Sequence, residues 1–72
     1  MDDHLILIKL GSRVKDLRHS QRMTQLQLAE KSNMEKSRIS RIESGQMNST
    51  VETLYKLSTA LNVHISELLK NK

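Results

Sequence analysis

Cysteine and proline are absent from this 72-residue chain, which has only two glycines and one aromatic residue, Tyr55. Without cysteine the chain can form neither disulfide bonds nor thiolate metal sites, and such a composition fits a reducing cytoplasm. The longest uninterrupted apolar run, residues 5–8, is far shorter than the roughly 20 residues that a membrane-spanning helix needs. A disulfide-stabilised domain and a membrane-spanning protein are therefore not expected.

The length and composition of the chain indicate a single small, basic domain over residues 1–72, with its folded core over about residues 6–70. A domain of this size buries only about 60% of the surface of its unfolded chain, so association with a second copy is the expected source of further stability. The net charge of +4 favours an anionic partner, either nucleic acid or an anionic membrane surface.

The spacing of apolar residues predicts an all-α fold, a bundle of five helices joined by short turns. In the N-terminal part, four apolar residues recur at intervals of three and four: Leu7, Leu10, Val14 and Leu17. They predict a first amphipathic helix that ends near residue 21 or 22. Thr24 is a suitable N-cap for a second helix over about residues 25–31, and Asn33 tolerates the left-handed backbone with which helices commonly end.

Further along the chain, a third helix is predicted over about residues 35–44, with Gly45 as its stop. A fourth helix begins after Ser49 or Thr50, either of which can cap it, and ends at Asn62. A fifth, short helix then completes the chain. The second and third helices are brief and are separated by only a few residues, which is the layout of a helix-turn-helix unit.

The sequence of residues 24–45, TQLQLAEKSNMEKSRISRIESG, closely resembles the helix-turn-helix of the Cro/phage-repressor (XRE) family. The resemblance continues through residues 10–18, 48–54 and 61–63, and so covers nearly the whole chain after residue 9. It implies a five-helix domain of the lambda-repressor-like type. It also implies a transcription regulator that binds double-stranded DNA as a homodimer, on an inverted-repeat operator, with the third helix in the major groove.

The surface of the third helix that points away from Ile39 and Ile42 carries hydrogen-bond donors and cations, which suit guanine edges and phosphates. The resemblance implies base-reading roles for Lys36, Ser37 and Arg41. Arg41 is the strongest candidate of the three, because its guanidinium can bind guanine through two hydrogen bonds. Contacts to the DNA backbone are predicted for seven polar side chains: Thr24, Gln25, Arg38, Ser40, Ser44, Gln46 and Asn48.

Two further groups of residues have structural roles in this interpretation. The resemblance implies that Arg18 forms an ion pair with Glu43 and so connects the first helix to the third. The predicted dimer interface consists of apolar residues near the two ends of the chain: Leu5, Ile8, Val63, Ile65, Leu68 and Leu69. For residues 5–8 a second packed surface, a short edge strand and a segment folded over the last helix all remain open.

Other functions have little support in the sequence. The histidines, His4, His19 and His64, lack the spacing of metal ligands, and no catalytic set is recognisable, so neither an enzyme nor a cofactor, metal or small-molecule substrate is expected. The main alternative is an antitoxin-type module that neutralises a toxin and regulates its own operon, and another is a restriction–modification controller. A membrane-surface protein is disfavoured because the cations cluster around the predicted reading helix.

Overall fold

A computed structural model describes residues 3–70, which fold into four α-helices and one 3₁₀ turn, with no β-strand among them. The elements are α1 (Asp3–Ser20), α2 (Gln25–Ser32), α3 (Lys36–Glu43), α4 (Val51–Ala60) and the 3₁₀ turn (Ile65–Glu67). The all-α prediction is confirmed, whereas the count of five helices is wrong because the last of them is only this turn. Residues 5–8 belong to α1. None of these helices is long and apolar enough to cross a membrane.

Two threonine side chains cap the helices that follow them. Thr24 Oγ1 accepts a hydrogen bond from the backbone N–H of Gln27 at 3.0 Å, and Gln27 Oε1 accepts one from the backbone N–H of Thr24 at 2.8 Å. This reciprocal arrangement is a capping box, and it satisfies donors that the start of α2 would otherwise leave free. Thr50 caps α4 through a single bond of this kind, because its Oγ1 accepts from the Thr53 backbone N–H at 3.1 Å.

Left-handed residues follow all four α-helices. Asn33 and Asn62 have φ angles of 56° and 55°, Gly45 has a φ of 77°, and Arg22, after α1, has a φ of 55°. Asparagine and glycine adopt this conformation at lower cost than other residues, so the predicted stops are confirmed. A Cβ atom placed on Gly45 would lie 2.9 Å from Ile8 Cγ1, which shows that the turn after α3 lies directly against the N-terminal half of α1.

The core combines buried apolar side chains from all four α-helices and from the segments that follow them. Its members are Val14, Met23, Leu28, Ala29, Ile39, Ile42, Leu57, Leu61 and Leu68. Helix α3 packs against both α1 and α2, and α2 also packs against α4. Its position between two neighbours fixes the buried face of α3 and leaves its other face for a partner.

Helices α1 and α3 lie very close together at Gly11. A Cβ atom placed on Gly11 would overlap the carbonyl oxygen of Ile42 and lie 2.7 Å from that of Glu43. Because the atoms in the way belong to the backbone of α3, a side chain at this position cannot be accommodated by a change of rotamer. Glycine at residue 11 therefore sets the distance between the two helices.

An arginine of α1 holds the 3₁₀ turn that stands in place of the last predicted helix. Arg13 Nε donates to the backbone carbonyl of Glu67 at 2.7 Å, and Arg13 Nη2 lies 3.1 Å from Glu67 Oε1. The Glu67 carbonyl is thus bonded to a side chain, and the neighbouring amides of Leu68 and Leu69 bond three residues back, as in a 3₁₀ helix. A hydrogen bond from Lys70, with the charges of Lys70 and Arg13, lowers the pKa of the Glu67 carboxyl against an opposing effect of burial.

Candidate nucleic-acid interface

Helix α3 has one buried and one exposed face. Ile39 and Ile42 are 0% and 2% exposed in the core, while four residues on the other side are exposed: Lys36, Ser37, Ser40 and Arg41. Within residues 3–70 the side chains of Lys36 and Arg41 form no hydrogen bond or ion pair, so both charges are available to a partner. The helix is one residue shorter at each end than predicted, since Glu35 and Ser44 are its flanking caps.

A buried ion pair connects the C-terminal end of α3 to α1. Arg18 Nε donates to Glu43 Oε2 at 2.7 Å, and Arg18 Nη2 donates to Glu43 Oε1 at 2.9 Å. The remaining Arg18 nitrogen, Nη1, donates to the backbone carbonyl of Met23 at 2.7 Å, in the turn before α2. The two side chains are only 7% and 3% exposed, so the pair implied by the family resemblance is present and largely free of solvent.

Gln25 also joins this network. Its Nε2 donates to Glu43 Oε1 at 3.1 Å, and its side chain is half-buried. The Glu43 carboxylate therefore accepts hydrogen bonds from both α1 and α2 while it belongs to α3. The contact of Gln25 with DNA backbone stays a prediction, and a substitution here would change the support of α3 together with any DNA contact.

Arg38 has a structural contact that the sequence interpretation missed. Its Nη2 donates to Thr53 Oγ1 at 3.1 Å, and Thr53 lies in the first turn of α4, where Thr50 Oγ1 also donates to Thr53 Oγ1 at 3.1 Å. The half-buried Arg38 thus connects α3 to the capped start of α4. The sequence signal for this structural contact was the position of Arg38 immediately before the buried Ile39, because a residue there borders the buried face of the helix.

The other residues predicted to contact the DNA backbone are exposed around α3. Thr24, Ser40, Ser44, Gln46 and Asn48 all lie on the surface. The Ser44 hydroxyl donates to the Arg41 carbonyl at 3.1 Å, and Asn48 Oδ1 accepts from the Ser49 backbone N–H at 2.8 Å. Their contacts with DNA stay predictions.

The residues predicted for the dimer interface divide into three groups. Leu5, Ile8 and Leu69 are 48%, 42% and 62% exposed. Val63 and Ile65 are half-buried. Leu68 is 1% exposed, because the 3₁₀ turn directs its side chain into the core of its own chain. A partner subunit could therefore contact the first five but not the side chain of Leu68 in this conformation.

Comparison with known proteins gives both a family and individual relatives. Residues 14–68 match the sequence profile of the HTH_3 family, described as helix-turn-helix. The immunity repressor protein of Bacillus phage phi105 is 35% identical over 60 residues, which is 83% of this chain. The chain spans less than half of that repressor, 42% of its length.

Solved structures of similar size agree with this match. The restriction–modification controller protein C.AhdI from Aeromonas hydrophila superposes with a TM-score of 0.85 at 35% identity, over 86% of this chain and 94% of that one. The controller C.Esp1396I, solved as a tetramer with its natural 35-base-pair operator, gives a TM-score of 0.79 at 34% identity, over 90% and 96% of the two chains. The chain therefore belongs to the HTH_3 helix-turn-helix family of DNA-binding transcription regulators.

Proposed function

We propose that this regulator binds an inverted-repeat operator as a homodimer, with α3 of each subunit in the major groove. The observation that carries the proposal is the asymmetry of α3. Its outer face presents Lys36, Ser37 and Arg41 without partners in residues 3–70, and its inner face is fixed by the core and the Arg18–Glu43 pair. A rigidly held helix with free donors is what recognition of base edges requires.

In this arrangement Arg41 binds guanine through two parallel hydrogen bonds to O6 and N7. Lys36 and Ser37, one helical turn nearer the start of α3, read neighbouring bases. The surrounding polar residues bind phosphates, which position the helix without reading sequence. The dimer places its two α3 helices in successive major grooves, about 34 Å apart.

The relatives give a candidate biological context. Two of the similar solved structures, C.AhdI and C.Esp1396I, are restriction–modification controllers, at 35% and 34% identity to this chain. A restriction–modification controller that acts in the bacterial cytoplasm is therefore a more specific candidate. The antitoxin-type alternative stays a prediction, which an adjacent toxin gene would favour and an adjacent methylase and nuclease pair would oppose.

Selection of binding sites from random DNA, followed by native mass measurement of the complex, tests the proposal. We expect an enriched inverted repeat whose half-sites are one helical turn apart, about 10 base pairs, with two chains bound. If the dimer makes roughly 6–10 phosphate contacts, its affinity should fall on the order of 10³–10⁵-fold between about 50 and 200 mM salt. A single chain on a single half-site would contradict the dimer, and the absence of any enriched sequence would contradict the function.

Replacement of Arg41 with alanine is expected to abolish the preference for one guanine in each half-site. The expected loss of discrimination free energy is about 1–3 kcal/mol per base. The loss follows from removal of the two hydrogen bonds to that base. Competition between the operator and a version altered at that position measures it, by fluorescence anisotropy. Lys31→Ala is the control, because Lys31 is an exposed cation on α2 outside the reading face. Full discrimination by the Arg41→Ala protein would show that another side chain reads the sequence.

Replacement of Leu69 with glutamate is expected to raise the dissociation constant of the dimer by at least about tenfold, because burying a leucine side chain contributes about 1.5–3 kcal/mol. Sedimentation equilibrium measures the change. Leu26→Glu is a matched control, since Leu26 is also an exposed leucine, at 52%, and lies on α2 outside the predicted interface. Equal dissociation constants for the two variants would place the interface elsewhere.

A further inference from the structure

An open groove of about 540 Å³ lies beside the reading face of α3. Arg38 and Arg41 line it from α3, Lys56 lines it from α4, and Met47 from the connecting segment contributes apolar surface. We propose that this groove binds a phosphate of the operator backbone and that Lys56 is its main contact. The inference rests on the proposed function and adds a residue of α4 to the DNA-binding surface.

The charges in the groove favour an anion. Three cations, Arg38, Arg41 and Lys56, line it together with one carboxylate, that of Glu35. Within residues 3–70, Lys56 and Arg41 form no ion pair or side-chain hydrogen bond. Three of the other cations are paired internally: Arg13 and Lys70 with Glu67, and Arg18 with Glu43. The groove thus gathers positive charge that the described part of the chain leaves uncompensated.

Arg38 supplies a second, independent indication. Its Nη2 is bonded to Thr53, while its Nε is buried and has no hydrogen-bond partner among the described residues. A buried donor without an acceptor is unfavourable, and native structures rarely keep one without a reason. An anion bound against this guanidinium would bring negative charge and acceptor oxygens to an arginine that pairs with no carboxylate of the described residues.

The position of the groove indicates which anion binds. Ser37 and Arg41 line the groove and also belong to the reading face of α3. A DNA strand whose bases contact these residues therefore carries its own phosphates past the groove. Contacts to phosphates fix the register of a recognition helix, so Lys56 would position α3 rather than read bases.

The first test measures operator affinity of the Lys56→Ala protein over a range of salt concentrations. We expect affinity for the operator and for a random duplex to fall by the same factor, about tenfold per subunit. The slope of log affinity against log salt should decrease by about 1 per subunit. Lys56→Arg should restore the slope. Lys15→Ala is the charge-matched control, since Lys15 is exposed on α1 outside the groove, and its slope should be unchanged.

The second test replaces single operator phosphates with neutral methylphosphonates. One position in each half-site should weaken the wild-type protein as much as Lys56→Ala does, and combining the two changes should cause no further loss. A Lys56→Ala protein that keeps wild-type affinity and salt slope overturns the inference, even if inorganic phosphate alone shifts the NMR signals of the groove. A change in sequence preference also overturns it, by making Lys56 a base contact. Failure of the wild-type protein to select any DNA sequence would instead contradict the proposed function.

Discussion

Replacing Arg18 with methionine is expected to lower the free energy of unfolding by about 3–5 kcal/mol. The substitution leaves the Glu43 carboxylate, 3% exposed, with Gln25 as its remaining side-chain donor, and it removes the donor to the Met23 carbonyl. A chain of this length has a total stability of roughly 4–11 kcal/mol, so the loss would approach unfolding. Urea denaturation followed by circular dichroism measures it.

The double variant Arg18→Met/Glu43→Met distinguishes the net contribution of the ion pair to stability from the cost of leaving one buried charge unpaired. Two apolar side chains in place of a buried ion pair are often neutral or stabilising, because neither charge then has to be removed from water. We expect the double variant to recover most of the loss caused by Arg18→Met. If the single substitution costs less than about 1 kcal/mol, the pair behaves like an exposed salt bridge and does not hold α3 in place.

Replacing Gly11 with alanine is expected to destabilise the fold by about 1–3 kcal/mol or more, although alanine is the better helix former. Helix propensity favours alanine over glycine by about 1 kcal/mol. The new methyl group, however, would overlap the carbonyl oxygen of Ile42 and lie 2.7 Å from that of Glu43, so that α1 and α3 would have to move apart. Steric overlap with backbone therefore outweighs propensity.

Ser12→Ala is the matched control for this prediction. It introduces the same residue one position further along α1, on the exposed surface, where it should change stability by no more than about 0.5 kcal/mol. Thermal unfolding of both variants beside the wild type gives the comparison. A Gly11→Ala protein as stable as Ser12→Ala would show that α1 and α3 are not held at this distance.

The parts of the fold that could be predicted from sequence depend on local chemistry. A threonine before a helical pattern and an asparagine after one have few alternative roles, so Thr24, Asn33 and Asn62 marked real boundaries. The Arg18–Glu43 pair joins residues 25 positions apart, and only the family resemblance indicated it. Its buried geometry belongs to the tertiary structure.

The parts that could not be predicted depend on contacts between distant segments. Apolar spacing around Leu68 fits a helix, but the segment forms only a 3₁₀ turn, and Arg13 binds its Glu67 carbonyl across 54 positions of sequence. The same turn places Leu68 in the core. Apolar spacing alone could not distinguish a core residue from a residue of the dimer interface. The contact of Arg38 with Thr53 was missed for a similar reason, since an arginine on a reading helix is ordinarily assigned to DNA.

The two faces of α3 differ in a way that bears on how such a regulator diverges. The exposed side chains of Lys36, Ser37, Ser40 and Arg41 form no hydrogen bond or ion pair within residues 3–70, whereas the residues that hold the helix lie on its opposite face. If α3 reads the operator as proposed, mutations on its outer face would change the preferred operator at little cost in stability. A duplicated gene could acquire a new target within a few substitutions, while the scaffold that presents the helix stays under separate selection.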